Sequence, residues 1–356
     1  MMSALLKTRL QKRKSQGLIR TLQSATGLID MTSNDYFGFA RSFHPINSLE
    51  GIGATGSRLL TGHTPFYEQL EENIARFHRA ESCLIYNSGY TANLGLISTL
   101  GSEDTTFLYD LEIHASMIDG MRLSKAKSLP FRHNNLESLE SRLKKAIPPV
   151  FVLIESVYSI SGELAPLQEM ATLCLRYEAA LIVDEAHATG VYGPQGEGLV
   201  VQANLESSVF ARVHTFSKAL GAHGACVLGS SQLKEVLINF SRPLIYSTAL
   251  PPSALAQIVA QYERLKVEAK FHQQRLRELM AYFYQKACMQ GTQSPIQPLP
   301  INRIDRVRAL SNKLQTKGLD VRAIVPPTAA RGKECLRVVF HSFNQEHEID
   351  QLLEAL

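Results

Sequence analysis

Between residues 82 and 230 the chain alternates short apolar runs with longer stretches in which apolar residues return every three or four positions. SCLIY (82–86), TFLYD (106–110), VFVLIES (150–156), AALIVDE (179–185), VHTFS (213–217) and ACVLG (225–229) are nearly continuous in apolar character, the pattern of strands buried on both faces. TANLGLISTL (91–100), NLESLESRLKKA (135–146) and LQEMATLCLRYEA (167–179) carry the period of helices. Strand–helix alternation predicts parallel strands with right-handed crossovers, hence a three-layer large α/β domain on a mostly parallel sheet.

After SRPLIYSTALPP (241–252) the pattern changes. A helical stretch from about 253 to 290 leads to a Pro-rich join, SPIQPLP (294–300), then a helix near 303–317 and a strand at CLRVVF (335–340). The expected organisation is an N-terminal arm (1–45), a large domain (46–250) and a smaller C-terminal α/β domain (251–356). There is no internal repeat or low-complexity tract.

Composition narrows the function classes. The chain is 45% hydrophobic and 20% charged, a globular balance, with a formal charge of +4. Most of that charge comes from Lys7, Arg9, Lys12, Arg13, Lys14 and Arg20, which face no acid in the first 20 residues. We read this arm as a solvated helix face, not a nucleic-acid or membrane contact. Its composition also resembles a mitochondrial presequence, but it is short and runs straight into DMTSNDYFG. No apolar run approaches the length of about 18 residues that spans a bilayer. Cys83, Cys174, Cys226, Cys288 and Cys335 are scattered without C-x-x-C spacing, which suits a reducing cytosol and implies neither a disulfide framework nor a zinc site. A cytoplasmic protein without metal, membrane or nucleic-acid partner is expected.

In a parallel sheet, ligands gather at the carboxyl ends of the strands, so the polar residues following each run carry the chemistry. Asp184 and His187 follow one run in DEAHATG (184–190); without a G-x-x-x-x-G-K-[ST] loop this is no helicase motif, and HEID (347–350) lacks the second histidine of H-E-x-x-H. GIGATG (51–56) follows no strand pattern and is set aside as a dinucleotide site. NSGYTAN (87–93) sits between a strand and a helix, so Ser88, Gly89 and Tyr90 form either an ordinary N-cap or a phosphate cup. Lys218 stands among Thr215, Ser217, Ala219, Gly221, Ala222 and Gly224, the surroundings of a buried amine ready to attack a carbonyl carbon. Lysine, strand-end acid, phosphate cup and the histidines of LEIHAS and DEAH together are what pyridoxal 5'-phosphate requires, with Thr215 and Ser217 able to reach the phosphate.

The chain resembles the α-oxoamine synthases, fold-type-I pyridoxal-phosphate enzymes, over nearly its full length. The matching pieces are SNDYFGF (33–39), GATGSRLLTGH (53–63), NSGYTAN, HAS (114–116), ESVYS (155–159), DEAHATG, TFSK (215–218) and IYST-x-x-PP (245–252). The resemblance implies that Lys218 bonds the cofactor's aldehyde carbon and that Asp184 partners its ring nitrogen. It implies further that His187 and Ser159 bond the phenolic oxygen and that His114 stacks on the ring and orients the substrate. Gly89, Tyr90 and Thr215 match the phosphate cup. Ser247 and Thr248 match residues that reach the neighbouring subunit's phosphate, which implies a homodimer with shared active sites.

Family members join an amino acid to an acyl thioester and release carbon dioxide. The C-terminal segments SPIQPL and VRAIVPPTAARGKECLRVV, above all IVPPT (324–328), resemble the branch that joins L-alanine to a pimeloyl thioester, carried by coenzyme A or acyl carrier protein. The product implied is 8-amino-7-oxononanoate, a biotin precursor; siblings use glycine or serine with other acyl-CoA donors. On this resemblance Thr328 contacts substrate, Arg337 holds the amino-acid carboxylate and Arg20 meets the acyl substrate. HSFNQ after Arg337 and Ala188 depart from the family pattern, and His44, His63 and His133 are read as surface or packing residues.

Overall fold

The computed structural model describes residues 2–22, 24, 26–42, 53–289 and 291–356. The expected arm boundary at 45, His44 and the first two residues of GIGATG lie outside them. The described strands are β1 (Ile29–Asp30), β2 (Ser82–Tyr86), β3 (Thr106–Asp110), β4 (Lys127–Phe131), β5 (Val150–Glu155), β6 (Ala180–Asp184), β7 (Ala211–Thr215), β8 (Ala225–Gly229), β9 (Ile296–Pro300), β10 (Leu319–Asp320), β11 (Arg322–Ile324) and β12 (Cys335–Val339). The chain divides into two compact units: residues 1–34, 160–162 and 275–356 form one, and residues 35–159 and 163–274 the other. The expected boundary near 250 lies at the start of the helix Pro252–Ala287, and the observed division falls within that helix.

The larger unit is built on a seven-stranded sheet in the order β2-β8-β7-β6-β5-β3-β4. Six strands share one direction and β8 alone runs against its neighbours. Helices take the expected places between strands and bury one stripe each. Leu167–Arg176, for example, buries Leu167, Met170, Ala171 and Cys174, the spacing that aligns side chains along one helical face. The core lies along the sheet, where Phe107, Leu108, Val152, Leu153, Ile154, Ile182, Val183 and Val213 are fully enclosed.

In the smaller unit β11, β12 and β9 form an antiparallel sheet in that order, and β1 pairs in parallel with β10. The Pro-rich join expected at 294–300 is in fact mostly strand β9, and the chain from 127 to 131 is a further strand that the hydrophobic pattern does not mark. Both contain proline, and both lie at the edge of their sheet, where a residue without an N–H group leaves no ladder bond unmade.

The opposite edge of the large sheet, β2, is closed by side chains. Ile85 turns its N–H outward to Glu71 Oε1 at 2.8 Å, and its carbonyl accepts from Arg58 Nη1 at 3.3 Å. Arg58 and Glu71 pair with each other, and Lys234 Nζ reaches Glu71 Oε2 at 2.8 Å. Glu71 is buried, so removing its carboxylate strands two cations and one backbone N–H at once. Glu71→Ala is therefore expected to lower the unfolding free energy by about 3–5 kcal/mol, as breaking one side of a buried ion pair does. Urea unfolding of variant and parent provides the measurement, and a loss below 1 kcal/mol would refute this account of the edge.

Candidate active site

The candidate groups of the larger unit come from the carboxyl ends of adjacent strands. Glu155 and Asp184 end β5 and β6 and stand in register. Thr215 ends β7, and the chain then turns through residues 216–224 into β8. In that turn Phe216, Ala219 and Leu220 are buried and take the core side, which leaves Ser217 exposed and Lys218 half-buried instead of fully enclosed as its small neighbours suggest. The Gly221 N–H bonds the Lys218 carbonyl at 2.9 Å. Gly221 has φ +59° and an added Cβ would stand 2.3 Å from the Ala40 backbone nitrogen, so the turn admits glycine only.

Asp184 is buried, yet both oxygens have donors: the Ala186 N–H at 2.8 Å on Oδ1 and the Asn93 amide at 2.7 Å on Oδ2. His187 is held through Nδ1 by the Tyr36 hydroxyl at 2.6 Å. Glu155 accepts the Ser159 N–H at 3.1 Å. Burial and the neighbouring Asp184 push its carboxyl well above the usual range, which favours its neutral form. His114 caps the helix Ala115–Leu123, its Nδ1 lying 2.7 Å from Ser116 Oγ. Burial lowers its pKa; Asp184 works against that shift and Lys218 with it, so the ring is neutral at pH 7.

The helix Gly89–Leu100 begins with a full capping box, Ser88 Oγ accepting from the Thr91 N–H at 3.2 Å and the Ser88 N–H donating to Thr91 Oγ1 at 3.1 Å. Ser88 is thus an N-cap, and the backbone N–H groups of Gly89 and Tyr90 are the ones left at the helix start for an anion. Gly89 lies against Thr215, whose hydroxyl is 3.7 Å from where a Cβ would stand, and Thr215 Oγ1 is 3.0 Å from Ser217 Oγ. This donor set of two N–H groups and two hydroxyls suits a phosphate. The Tyr90 ring meets His114 edge-on at 6.2 Å, and its hydroxyl bonds Asp119. Thr248 is exposed, and its carbonyl accepts from Asn87 Nδ2 at 2.8 Å; Ser247 beside it is half-buried.

The smaller unit brings together the remaining candidates. Arg20 donates to Thr328 Oγ1 at 3.2 Å. Arg337 is buried and donates to Asn34 Oδ1 at 2.9 Å and the Thr32 carbonyl at 3.4 Å. Tyr36, Asn93, Ser116, Glu155 and Asn34 were not singled out as site residues from sequence, although each lies in or beside a quoted motif. The available signal was an inward-facing polar residue: Asn93 follows Gly89 by four positions and so shares its helical face.

Residues on the far side of the strands do different work. Glu185 follows Asp184 but accepts from the N–H groups of Leu199 and Val200 at 2.7 and 3.1 Å, and burial pushes its carboxyl up to about 7. His214 precedes Thr215, and its ring lies tilted against His78 with centroids 4.1 Å apart; His78 bonds the Glu197 carbonyl through Nδ1 and Tyr262 Oη through Nε2, both at 2.8 Å. Burial holds both histidines neutral, His78 down to about 3 and His214 well below its usual value. Among the described residues no group of three or more His, Cys, Asp or Glu converges as a metal site, and no helix is long and apolar enough to cross a membrane.

Comparison with known proteins places the chain in a family. Residues 26–356 match the model of the family "Aminotransferase class I and II". An 8-amino-7-oxononanoate synthase of Emericella nidulans is 40% identical, covering 92% of this chain and 88% of its own. Among solved structures, 8-amino-7-oxononanoate synthase from Francisella tularensis superposes with TM-score 0.81 at 30% identity, covering 92% of this chain and 96% of its own. A serine palmitoyltransferase variant from S. paucimobilis, solved with bound PLP, superposes with TM-score 0.88 at 28% identity, covering 98% and 95%.

The far-side histidines set a pH dependence. Below the unfolded histidine value of 6.5 the unfolded chain binds protons that folded His78 and His214 refuse, so stability falls as pH drops toward 3. Each histidine contributes about 1.4 kcal/mol per pH unit, and Glu185, protonated in the folded state up to about 7, offsets one of them above its unfolded value of 4.5. His78→Asn, which keeps a donor for the Glu197 carbonyl, is expected to flatten the slope between pH 6 and 5 by about 1.4 kcal/mol per unit. Urea unfolding across that range would show an unchanged slope if His78 were not the group.

Proposed function

Because this chain belongs to the class I and II aminotransferase family, and within it to the α-oxoamine synthases, enzymes that depend on pyridoxal phosphate, we propose that it condenses L-alanine with a pimeloyl thioester to 8-amino-7-oxononanoate in biotin synthesis. The observation that carries this reading is the 40% identity to a synthase of that name over 92% of the chain. Overlap with serine palmitoyltransferase is the reason to keep a sibling reaction, serine or glycine with another acyl-CoA, as the second reading: its TM-score of 0.88 exceeds the 0.81 of the oxononanoate synthase. Backbone overlap is common to the whole family, whereas substrate choice depends on side chains, so identity is given the greater weight.

The residues suit the cofactor. Lys218 would bond its aldehyde carbon, Gly89, Tyr90 and Thr215 would hold its phosphate, Asp184 its ring nitrogen, and His187 with Ser159 its phenolic oxygen. When bound, the cofactor supplies an electron sink for the amino acid's α-carbon. Asp184, fixed by two donors, would keep a proton on the ring nitrogen. Neutral His114 covers the ring face and orients the substrate. The Lys218 amine takes the α-proton and later returns one to the same carbon. Arg337 binds the amino-acid carboxylate with a planar pair of donors, a task for which its two contacts to Asn34 and Thr32 pre-orient the guanidinium. Arg20 and Thr328, already bonded to each other, receive the acyl substrate. Ser247 and Thr248 serve the neighbouring subunit's phosphate in a homodimer with shared sites; the exposed position of Thr248 is compatible with that task.

Two experiments test the reading. Borohydride treatment of the yellow protein should fix the cofactor to Lys218, read by mass spectrometry of the peptide carrying HTFSK; label on another lysine removes Lys218 from its assigned place. With L-alanine and pimeloyl-CoA or pimeloyl-acyl carrier protein, 8-amino-7-oxononanoate should form, and Arg337→Ala should raise KM for alanine roughly 10- to 100-fold, the effect of losing a charge-assisted pair. Exchange of the α-proton of glycine or serine but not alanine, or no product with either pimeloyl donor, would select the sibling reaction.

A further inference from the structure

Asn93 sits on the first turns of the helix Gly89–Leu100 and is 2% exposed. Its Nδ2 lies 2.7 Å from Asp184 Oδ2 and 3.1 Å from Ser116 Oγ. Ser116 is fully buried, and its Oγ lies 2.7 Å from His114 Nδ1. Four side chains from three separate segments thus form one continuous polar chain inside the larger unit.

We propose that Asn93 is a positioning residue whose amide fixes both the orientation of Asp184 and the tautomer of His114. The directions of the hydrogen bonds follow from valence. The amide atom beside Asp184 is the nitrogen, which donates to Oδ2; the opposite flip would set two oxygens 2.7 Å apart. That nitrogen offers only hydrogens, so Ser116 Oγ accepts the second one. The serine hydrogen is then left for His114 Nδ1, which also faces the Ser116 backbone N–H at 3.3 Å. With two donors aimed at Nδ1, the neutral ring carries its hydrogen on Nε2. Asn93 Oδ1 is left buried without a hydrogen-bond partner among the described residues. An asparagine kept merely to satisfy buried polar groups would not leave its own acceptor unpaired, since such a group is costly to bury.

The arrangement has a chemical consequence. With Oδ1 engaged by the Ala186 N–H and Oδ2 by Asn93, the Asp184 carboxylate cannot rotate, and its remaining lone pairs keep one direction. The same amide sets the His114 donor to Nε2, so the ring face and the ring nitrogen of the cofactor meet groups fixed by one side chain. This inference rests on the reading of Asp184 and His114 given above.

The test uses protein with ¹⁵N-histidine, loaded with pyridoxal phosphate labelled with ¹⁵N in its ring, and compares the parent with Asn93→Ala, Ser116→Ala and Asp184→Ala. In the parent, His114 should show a hydrogen on Nε2 and none on Nδ1, and the cofactor ring nitrogen should be protonated. Asn93→Ala should move both signals, giving mixed His114 tautomers and a ring nitrogen that loses its proton at lower pH, with kcat reduced roughly 10- to 100-fold and KM for the amino acid little changed. Ser116→Ala should move only the His114 signals. A parent His114 with its hydrogen on Nδ1, or an Asn93→Ala protein with both signals unmoved, overturns the proposal. Should the alanine variant not fold, the parent tautomer and Asn93→Ser decide it by the same signals. If Asp184→Ala leaves the ring nitrogen unchanged, the assignment of Asp184 itself has failed, a result separable from failure of the Asn93 inference.

Discussion

The candidate site depends on the reversal of a single strand. Strands β5, β6 and β7 run in parallel and deliver Glu155, Asp184 and Thr215 to one edge of the sheet. A further parallel strand beside β7 would require a crossover, which carries the chain back to the opposite edge before it can re-enter. β8 is antiparallel instead, so the connection is a short turn that stays at the carboxyl edge. Lys218 lies in that turn. Its distance from the acid at the end of β6 is therefore set by sheet geometry, with Gly221 allowing the backbone to close against residues 39–40.

Placing two carboxyl groups side by side at a buried edge raises an electrostatic difficulty, and the protein resolves it by unequal treatment. Asp184 receives two donors, the Ala186 N–H and the Asn93 amide. Glu155 accepts the Ser159 N–H on one oxygen, and burial beside Asp184 disfavours its charge. One acid is met by two donors and the other is driven toward neutrality by its position. His114 is similarly kept neutral although an anion lies nearby, because partial burial and Lys218 outweigh the attraction.

Much of this was legible in the chain and some was not, for identifiable reasons. The buried strands announced themselves because a parallel strand covered on both faces must be apolar throughout, and 82–86, 106–110 and 225–229 keep the same bounds in the structure. β4 and β9 escaped because proline argues against a strand unless the strand is known to lie at an edge, which is a property of the sheet and not of the segment. Motifs marked the residues proposed to meet a ligand. They could not reveal partners such as Asn93 and Asp184, 91 positions apart, or Arg20 and Thr328, 308 apart, because those pairings exist only after folding. Lys218 was expected to be buried by its neighbours, yet those neighbours fill the core side of the turn and leave the amine on the other.

The Arg58–Glu71 pair beside β2 acts as a counterfeit strand. An open sheet edge is a row of unmet donors and acceptors that a second chain can extend by pairing with it. At Ile85 both groups are already occupied, one by a carboxylate and one by a guanidinium, each mimicking the peptide group a neighbouring strand would offer. Pro130 does the converse at the β4 edge by removing a donor from the row. The two ends of the sheet thus oppose strand addition by opposite means, one by occupying a donor and an acceptor at Ile85 and the other by lacking a donor at Pro130.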